Sequence, residues 1–192
     1  LICGIDEAGR GSLCGSMFIV GVACNEAKAK WMSSIGIKDS KKLSKSKRFE
    51  LAERLLESED VHIHIVEKTC AEIDVQGLSA CLREALQEII GHLLAFSRDF
   101  YMDGNTLFGL KSTTDYDLKC LVKGDDKVPQ ISAASIIAKT SKDAQMLKLD
   151  TLDPRYGFKN NAGYGTKNHL EAIKVYGYTQ WHRKSFAIGQ NH

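Results

Sequence analysis

Asp6 and Glu7 are adjacent carboxylates at the end of an apolar, strand-like lead (residues 1–6), and a Gly9-Arg10-Gly11 turn follows at once. Carboxylates at a strand end can hold hard cations, and a glycine-rich backbone lets a phosphate or a sugar approach closely. Two further acids repeat the placement. Asp103 closes the short apolar run Phe100-Tyr101-Met102, and Asp125 stands between a strand candidate at 118–122 and a helix. Ends of strands are where ligands gather in α/β sheets. Four carboxylates converging there repel one another unless cations neutralise them. Two Mg²⁺ or Mn²⁺ ions about 3.5–4 Å apart meet that need, and in-line displacement at phosphorus is the chemistry such pairs support.

The spacing alone leaves alternatives. Asp126 adjoins Asp125 and fits as well. Asp143 falls roughly 18 Å along a helix from its start, which reads as a surface or supporting group. A lone Asp after a strand is most often a turn residue or a helix cap, so the argument rests on the set. Neighbours in a strand also point to opposite faces. Asp6 and Glu7 can share a site if Glu7 lies beyond the regular pleat, or if its longer side chain reaches back.

Residues 9–15 superficially match nucleotide-binding loops but fail both patterns. Gly15 is followed by Ser16 rather than Lys, and the third glycine is one residue late for GxGxxG. The exposed backbone that remains could hydrogen-bond a ribose 2′-hydroxyl, the group that separates RNA from DNA. The densest basic run, residues 38–48, carries six cations, which suits a phosphate backbone or a solvated loop and first helical turn equally well. Tyr156-Gly157-Phe158 and Gly163-Tyr164-Gly165 interleave aromatics with Lys159, Lys167 and His169. Phe158 is equally well explained by core packing; Tyr164, between glycines, is the more exposed stacking candidate.

The elements that would position these groups follow from periodicity. Residues 16–24 read as the hairpin partner of 1–6. Residues 44–58 read as a helix with Ser44 as N-cap, and 61–66 alternate as a half-buried strand. Leu78, Leu82, Leu86, Ile89, Leu93 and Phe96 mark a long helix. Residues 105–117 read as a loop, 131–149 as a helix rich in small residues, and 166–176 as a helix capped by Thr166. Strands interleaved with helices argue for a mixed α/β sheet. The chain divides into a catalytic domain at 1–150 and a helical, basic extension at 151–192 that packs over one edge of the site.

At 192 residues and 43% hydrophobic, the chain suits one domain with a sizeable core. A net charge of +2 announces no nucleic-acid binder by itself, so that case rests on local clusters. Six cysteines show no CxxC spacing and no neighbouring histidines, which argues against zinc on the thiols and for reduced thiols in the cytoplasm. No apolar run reaches membrane-spanning length, no signal peptide is visible, and a short native segment is expected before Leu1.

Taken together the segments resemble the ribonuclease HII family almost end to end. The resemblance rests on residues 4–11 (Gly-Ile-Asp-Glu-Ala-Gly-Arg-Gly), 39–44 (Asp-Ser-Lys-Lys-Leu-Ser) and 103–105 (Asp-Gly-Asn). It continues through 123–125 (Lys-Gly-Asp), 132–139, 163–166 and 182–186 (His-Arg-Lys-Ser-Phe). It implies an RNase H-like fold: a central five-stranded mixed sheet flanked by helices, with a helical C-terminal extension. It implies metal-dependent hydrolysis of the RNA strand of RNA–DNA hybrids. It also implies cleavage 5′ of ribonucleotides embedded in duplex DNA, leaving a 5′-phosphate and a 3′-hydroxyl, by a monomer. Asp6, Glu7, Asp103 and Asp125 match the family's metal-binding and catalytic acids, and Asp126 does not. Gly9, Arg10 and Gly11 match the turn that reads the 2′-hydroxyl, Tyr164 the tyrosine that stacks on the neighbouring deoxyribose, and Lys41 a phosphate contact. Ser12 and Ser16 stand where the family usually has proline, so a less rigid turn is expected. Lys142 stands where arginine is usual. The competing readings are another RNase H-like nuclease, a silent hybrid-binding module and a small-molecule phosphatase.

Overall fold

β-Branched and small apolar residues at 17–24 make a strand buried along its whole length, and it forms the second strand of a five-stranded sheet. The computed structural model describes residues 1–38 and 40–188. β1 (Ile2–Ala8) pairs antiparallel with β2 (Met17–Cys24), and β2 pairs antiparallel with β3 (His62–Lys68). On the other side β1 pairs in parallel with β4 (Asp99–Asp103), and β4 with β5 (Asp117–Leu121). The strand order is therefore β3-β2-β1-β4-β5, a mixed sheet with β1 at its centre.

Helices cover both faces. α1 (Glu26–Ser34) and α2 (Lys45–Leu56) lie on one face; α3 (Cys70–Gln76) and α4 (Leu78–Leu93) lie on the other. α5 (Pro129–Leu152) shares the α1/α2 face, its Ala133, Ala134, Ile136 and Ile137 packing with Val20 and Val22. Pro129 opens α5, where its missing N–H breaks no bond, so the helix begins two residues before the expected start. Gly4 lets α5 lie directly on β1: a Cβ there would stand 2.3 Å from the Ile131 backbone nitrogen. Phe96, expected within the long helix, falls beyond the end of α4 and is exposed.

A third cluster joins the distal part of α5 to the C-terminal segments. Met146 and Leu149 pack with Tyr156 and Phe158, and with Ala172 and Ile173 of α7 (Lys167–Tyr176). The short α6 (Phe158–Asn161) lies between. Phe158 is fully buried, so core packing accounts for it. Cys14 belongs to the same cluster, which places the segment after Gly11 directly against the extension.

Candidate active site

Strand parity brings the acids together. Phe100 and Met102 face the α4 side, so Asp103 faces the α5 side, as Asp6 does on β1. The register Ile5↔Met102 then sets Asp6 beside Asp103. Asp125 arrives on the 3₁₀ turn Gly124–Asp126 after β5, held where Ser132 Oγ donates to its carbonyl. The Gly124 N–H donates to Asp103 Oδ1 at 2.7 Å and fixes that carboxylate.

Asp6, Glu7, Asp103 and Asp125 all line one cleft of about 240 Å³, with Ser40, Lys41, Ser135, Lys139 and Tyr164. Asp126 is exposed and pairs with Lys42 at 3.4 Å; it does not line this cleft. Glu7 remains within β1, opposite Ile19, so it is its side chain rather than a break in the strand that brings it to the cleft. Asp39, the first residue of the 39–44 element, lies outside the described residues.

The electrostatics are those of a crowded, half-dry acid cluster. Burial, then the charges of Glu7 and Asp103, hold the Asp6 carboxyl well above the usual carboxylate range. Burial raises Glu7 too; the Arg10 guanidinium opposes that shift and Asp103 adds to it. Glu7 Oε2 is buried with no hydrogen-bond partner among the described residues. An orphaned carboxylate oxygen costs folding free energy, and a divalent cation is the partner its chemistry suits.

The turn after Glu7 is anchored from three directions. Gly9 has φ +86°, and a Cβ there would meet the Ser16 carbonyl at 2.8 Å, so the turn needs glycine. The Gly9 N–H donates to the Tyr164 hydroxyl at 3.2 Å. Tyr164 is 41% exposed, and a Cβ on Gly11 would lie 3.9 Å from its ring. Arg10 is exposed, its guanidinium 5.4 Å from the centre of the Phe108 ring. Two buried cations complete the anchoring. Lys142 Nζ donates to the carbonyls of Cys14 (2.7 Å) and Ser16 (2.9 Å). Arg183 Nε donates to Gly15 O and its Nη1 to Arg10 O, both at 3.0 Å. Burial and the charge of Arg183 push Lys142 down to about 7.

Ser12 and Ser16, at which a less rigid turn was expected, are both tied by hydrogen bonds. Ser12 Oγ donates to Cys14 O at 2.7 Å. The Ser16 N–H donates to Gln145 Oε1 (2.8 Å) and its Oγ to Glu67 Oε1 (2.6 Å). Hydrogen bonds supply the order expected of a ring. Asp143 is likewise not a surface group: it is buried and pairs with Arg48 at 3.1 Å. That turns one cation of the 38–48 run inward, while Lys41 lines the cleft. Sequence reasoning placed Ser135, Lys139, Lys142 and Arg183 in matched segments but gave them no role at the site. Ser132, Ser135, Lys139 and Lys142 recur at steps of three and four on α5, a polar stripe that could have marked the site-facing side.

Four acids gathered in one cleft against the centre of a β3-β2-β1-β4-β5 mixed sheet make a candidate metal centre on an α/β fold. The family model described as Ribonuclease HII matches residues 3–188, and the chain belongs to that family. A Ribonuclease HII from Helicobacter acinonychis (strain Sheeba) is 47% identical over 188 residues, covering 98% of this chain and 97% of the relative. Among solved structures, a PCNA:RNase HII complex from Archaeoglobus fulgidus aligns with a TM-score of 0.81 at 26% identity, covering 100% of this chain and 98% of that one. Bst-RNase HIII, solved in complex with Mn²⁺, shares the fold with a TM-score of 0.70 at 18% identity over 92% of this chain and 62% of that one. The chain is thus an endonuclease of the RNase H class, acting on RNA–DNA hybrids.

Proposed function

We propose that this chain, besides cutting the RNA strand of hybrids, cleaves 5′ of single ribonucleotides embedded in duplex DNA and leaves a 5′-phosphate and a 3′-hydroxyl. Asp6, Glu7, Asp103 and Asp125 would hold two divalent ions, Mg²⁺ or Mn²⁺. Bound there, the ions supply an activated water and neutralise the leaving oxygen. The observation that carries this reading is the crowding of four carboxylates in one cleft, with Glu7 Oε2 buried and unpartnered among the described residues. The Mn²⁺ in the Bst-RNase HIII complex supports the choice of ion.

The Gly9-Arg10-Gly11 backbone reads the ribose 2′-hydroxyl, Tyr164 stacks on the adjacent deoxyribose, and Lys41 takes a phosphate. Support comes from Lys41 and Tyr164 bordering the same cleft as the acids, and from the Gly9–Tyr164 hydrogen bond that ties turn to aromatic. Residues 151–192 serve the domain at 1–150 by carrying Tyr164 and Arg183. The chain acts as a monomer in the cytoplasm, a reading supported by its six free thiols.

Single-turnover cleavage of a hybrid, of a duplex with one ribonucleotide and of an all-DNA duplex tests this, in Mg²⁺ and in Mn²⁺. Asp6→Asn and Asp103→Asn are expected to lose on the order of 10²–10³ in rate, the scale of losing one preorganised charge-stabilising group. Wild-type rates in either variant would overturn the ligand set. No cut at the single ribonucleotide would overturn the substrate assignment.

A further inference from the structure

Among the described residues, one group of three His, Cys, Asp or Glu side chains brings its donor atoms within 4.8 Å of one another: His64, Glu88 and His92. It lies away from the acid cleft. His64 sits on the edge strand β3, and Glu88 and His92 are one turn apart on α4. Glu–His pairs at this spacing are ordinary on solvated helices. The third donor, arriving from a strand, is what makes a chelating set.

We propose that His64, Glu88 and His92 form a binding site for a borderline divalent cation of the Zn²⁺ type, joining β3 to α4. Two imidazoles and a carboxylate suit Zn²⁺, whereas the all-oxygen quartet suits Mg²⁺ or Mn²⁺. His92 is preset for coordination. Its Nδ1 lies 3.0 Å from the Glu88 carbonyl, which can only accept, so Nδ1 carries the proton and Nε2 keeps its lone pair. Tying the second ring nitrogen to a carbonyl is the usual way a histidine ligand is oriented. His64 Nε2 stands 2.9 Å from Glu88 Oε1, a separation two ligands of one ion can share. The His64 and His92 rings stack with centroids 3.8 Å apart. Glu88 and His92 are exposed, so both side chains can turn toward a shared ion without disturbing the core. Coordination through His64 Nε2 places the neutral ring's single proton on Nδ1.

The test is a ZnCl₂ titration of the whole chain in excess Mg²⁺, which keeps the acid cleft occupied, read by calorimetry and by thermal midpoint. The wild type is compared with His92→Gln and with His64→Phe, which keeps a stacking ring and removes the donor. The expected result is one Zn²⁺ per chain that raises the midpoint, weakened at least about tenfold in each variant. Zn²⁺ binding equal in all three proteins, or none in the wild type, overturns the site. Mg²⁺-dependent hybrid cleavage stays at wild-type rate in both variants, so this result stands apart from that of the nuclease assignment.

Discussion

His169 Nε2 stands 3.0 Å from His182 Nε2, and the flanking bonds permit one proton arrangement between them. The Thr179 N–H donates to His182 Nδ1 at 2.9 Å, so that nitrogen is unprotonated. His182 therefore donates from Nε2 to His169, whose own proton sits on Nδ1 and goes to the Tyr164 carbonyl at 2.8 Å. Both rings are fully buried and neutral, and the chain of bonds ends on the residue that ties down Gly9.

Acid should break this chain. Burial, then the charge of His169, pushes His182 down to about 4; burial lowers His169 as well. Lys142 and Asp153 are the neighbouring charges, the first opposing protonation of His169 and the second favouring that of His182. An unfolded histidine titrates near 6.5, so between about pH 6.5 and pH 4 the unfolded chain holds more protons. Stability from this pair is complete above pH 6.5 and falls as the pH drops through that window. Thermal midpoints measured from pH 7.5 to 4.5 should decline more steeply for the wild type than for His182→Asn, whose amide oxygen can still accept from Thr179. Equal slopes would remove the pair as the source.

Gly4→Ala should be among the costliest single methyl additions in the chain. The new Cβ would lie 2.3 Å from Ile131 N and 2.4 Å from Gln130 C, both backbone atoms that no rotamer change can move. Overpacking of this kind costs about 1–3 kcal/mol and sometimes more. Denaturant unfolding should show a loss of about 3 kcal/mol, and hybrid cleavage should weaken as β1 shifts away from α5. A loss under about 0.5 kcal/mol would mean that the helix rides more loosely on the strand than this geometry requires.

The acids and the sheet were legible from sequence because each rests on a local signal. Asp6 and Asp103 end apolar runs, 17–24 is apolar throughout, and period-two alternation marks β3. α1 escaped because Met32 is its one buried side chain, leaving no apolar stripe to read. α3 is seven residues long and identifiable mainly by the Thr69–Glu72 capping box. The roles of Lys142, Arg183 and the histidine pair escaped for a different reason. Their partners are backbone carbonyls or side chains distant in sequence, such as Cys14 for Lys142 and Gly15 for Arg183, and no spacing rule encodes those contacts. The choice of Asp125 over Asp126 was equally invisible to spacing; the 3₁₀ turn decides which of the two faces the cleft.

Asp6→Asn should separate function from stability. Asp6 lies buried beside two other acids, so removing its charge relieves repulsion in the metal-free protein. With EDTA present, the thermal midpoint should rise by about 2–4 °C, the shift ~1 kcal/mol produces in a chain of this size. In Mg²⁺ the wild type should regain the advantage, and only the wild type should cleave. A variant less stable than the wild type in EDTA would show that the Asp6 carboxyl stabilises the metal-free protein rather than straining it.

Ser16→Pro places here the proline that the family resemblance led one to expect, yet in this chain it should destabilise. Proline has no N–H to donate to Gln145 and no hydroxyl for Glu67, and Gln145 Nε2 would lose its 2.8 Å bond to Ser16 Oγ. Each lost bond costs about 0.5–1.5 kcal/mol. The stiffer unfolded chain returns about 0.4–1 kcal/mol, so with three bonds lost the network wins by roughly 2 kcal/mol. The Ser16 carbonyl that receives Lys142 survives the change, and the turn should keep its place. The expected outcome is a midpoint lowered by about 4–8 °C with little change in cleavage rate. A raised midpoint would mean that the serine network is weaker than the ring it replaces, and that Gln145 and Glu67 find water as good a partner.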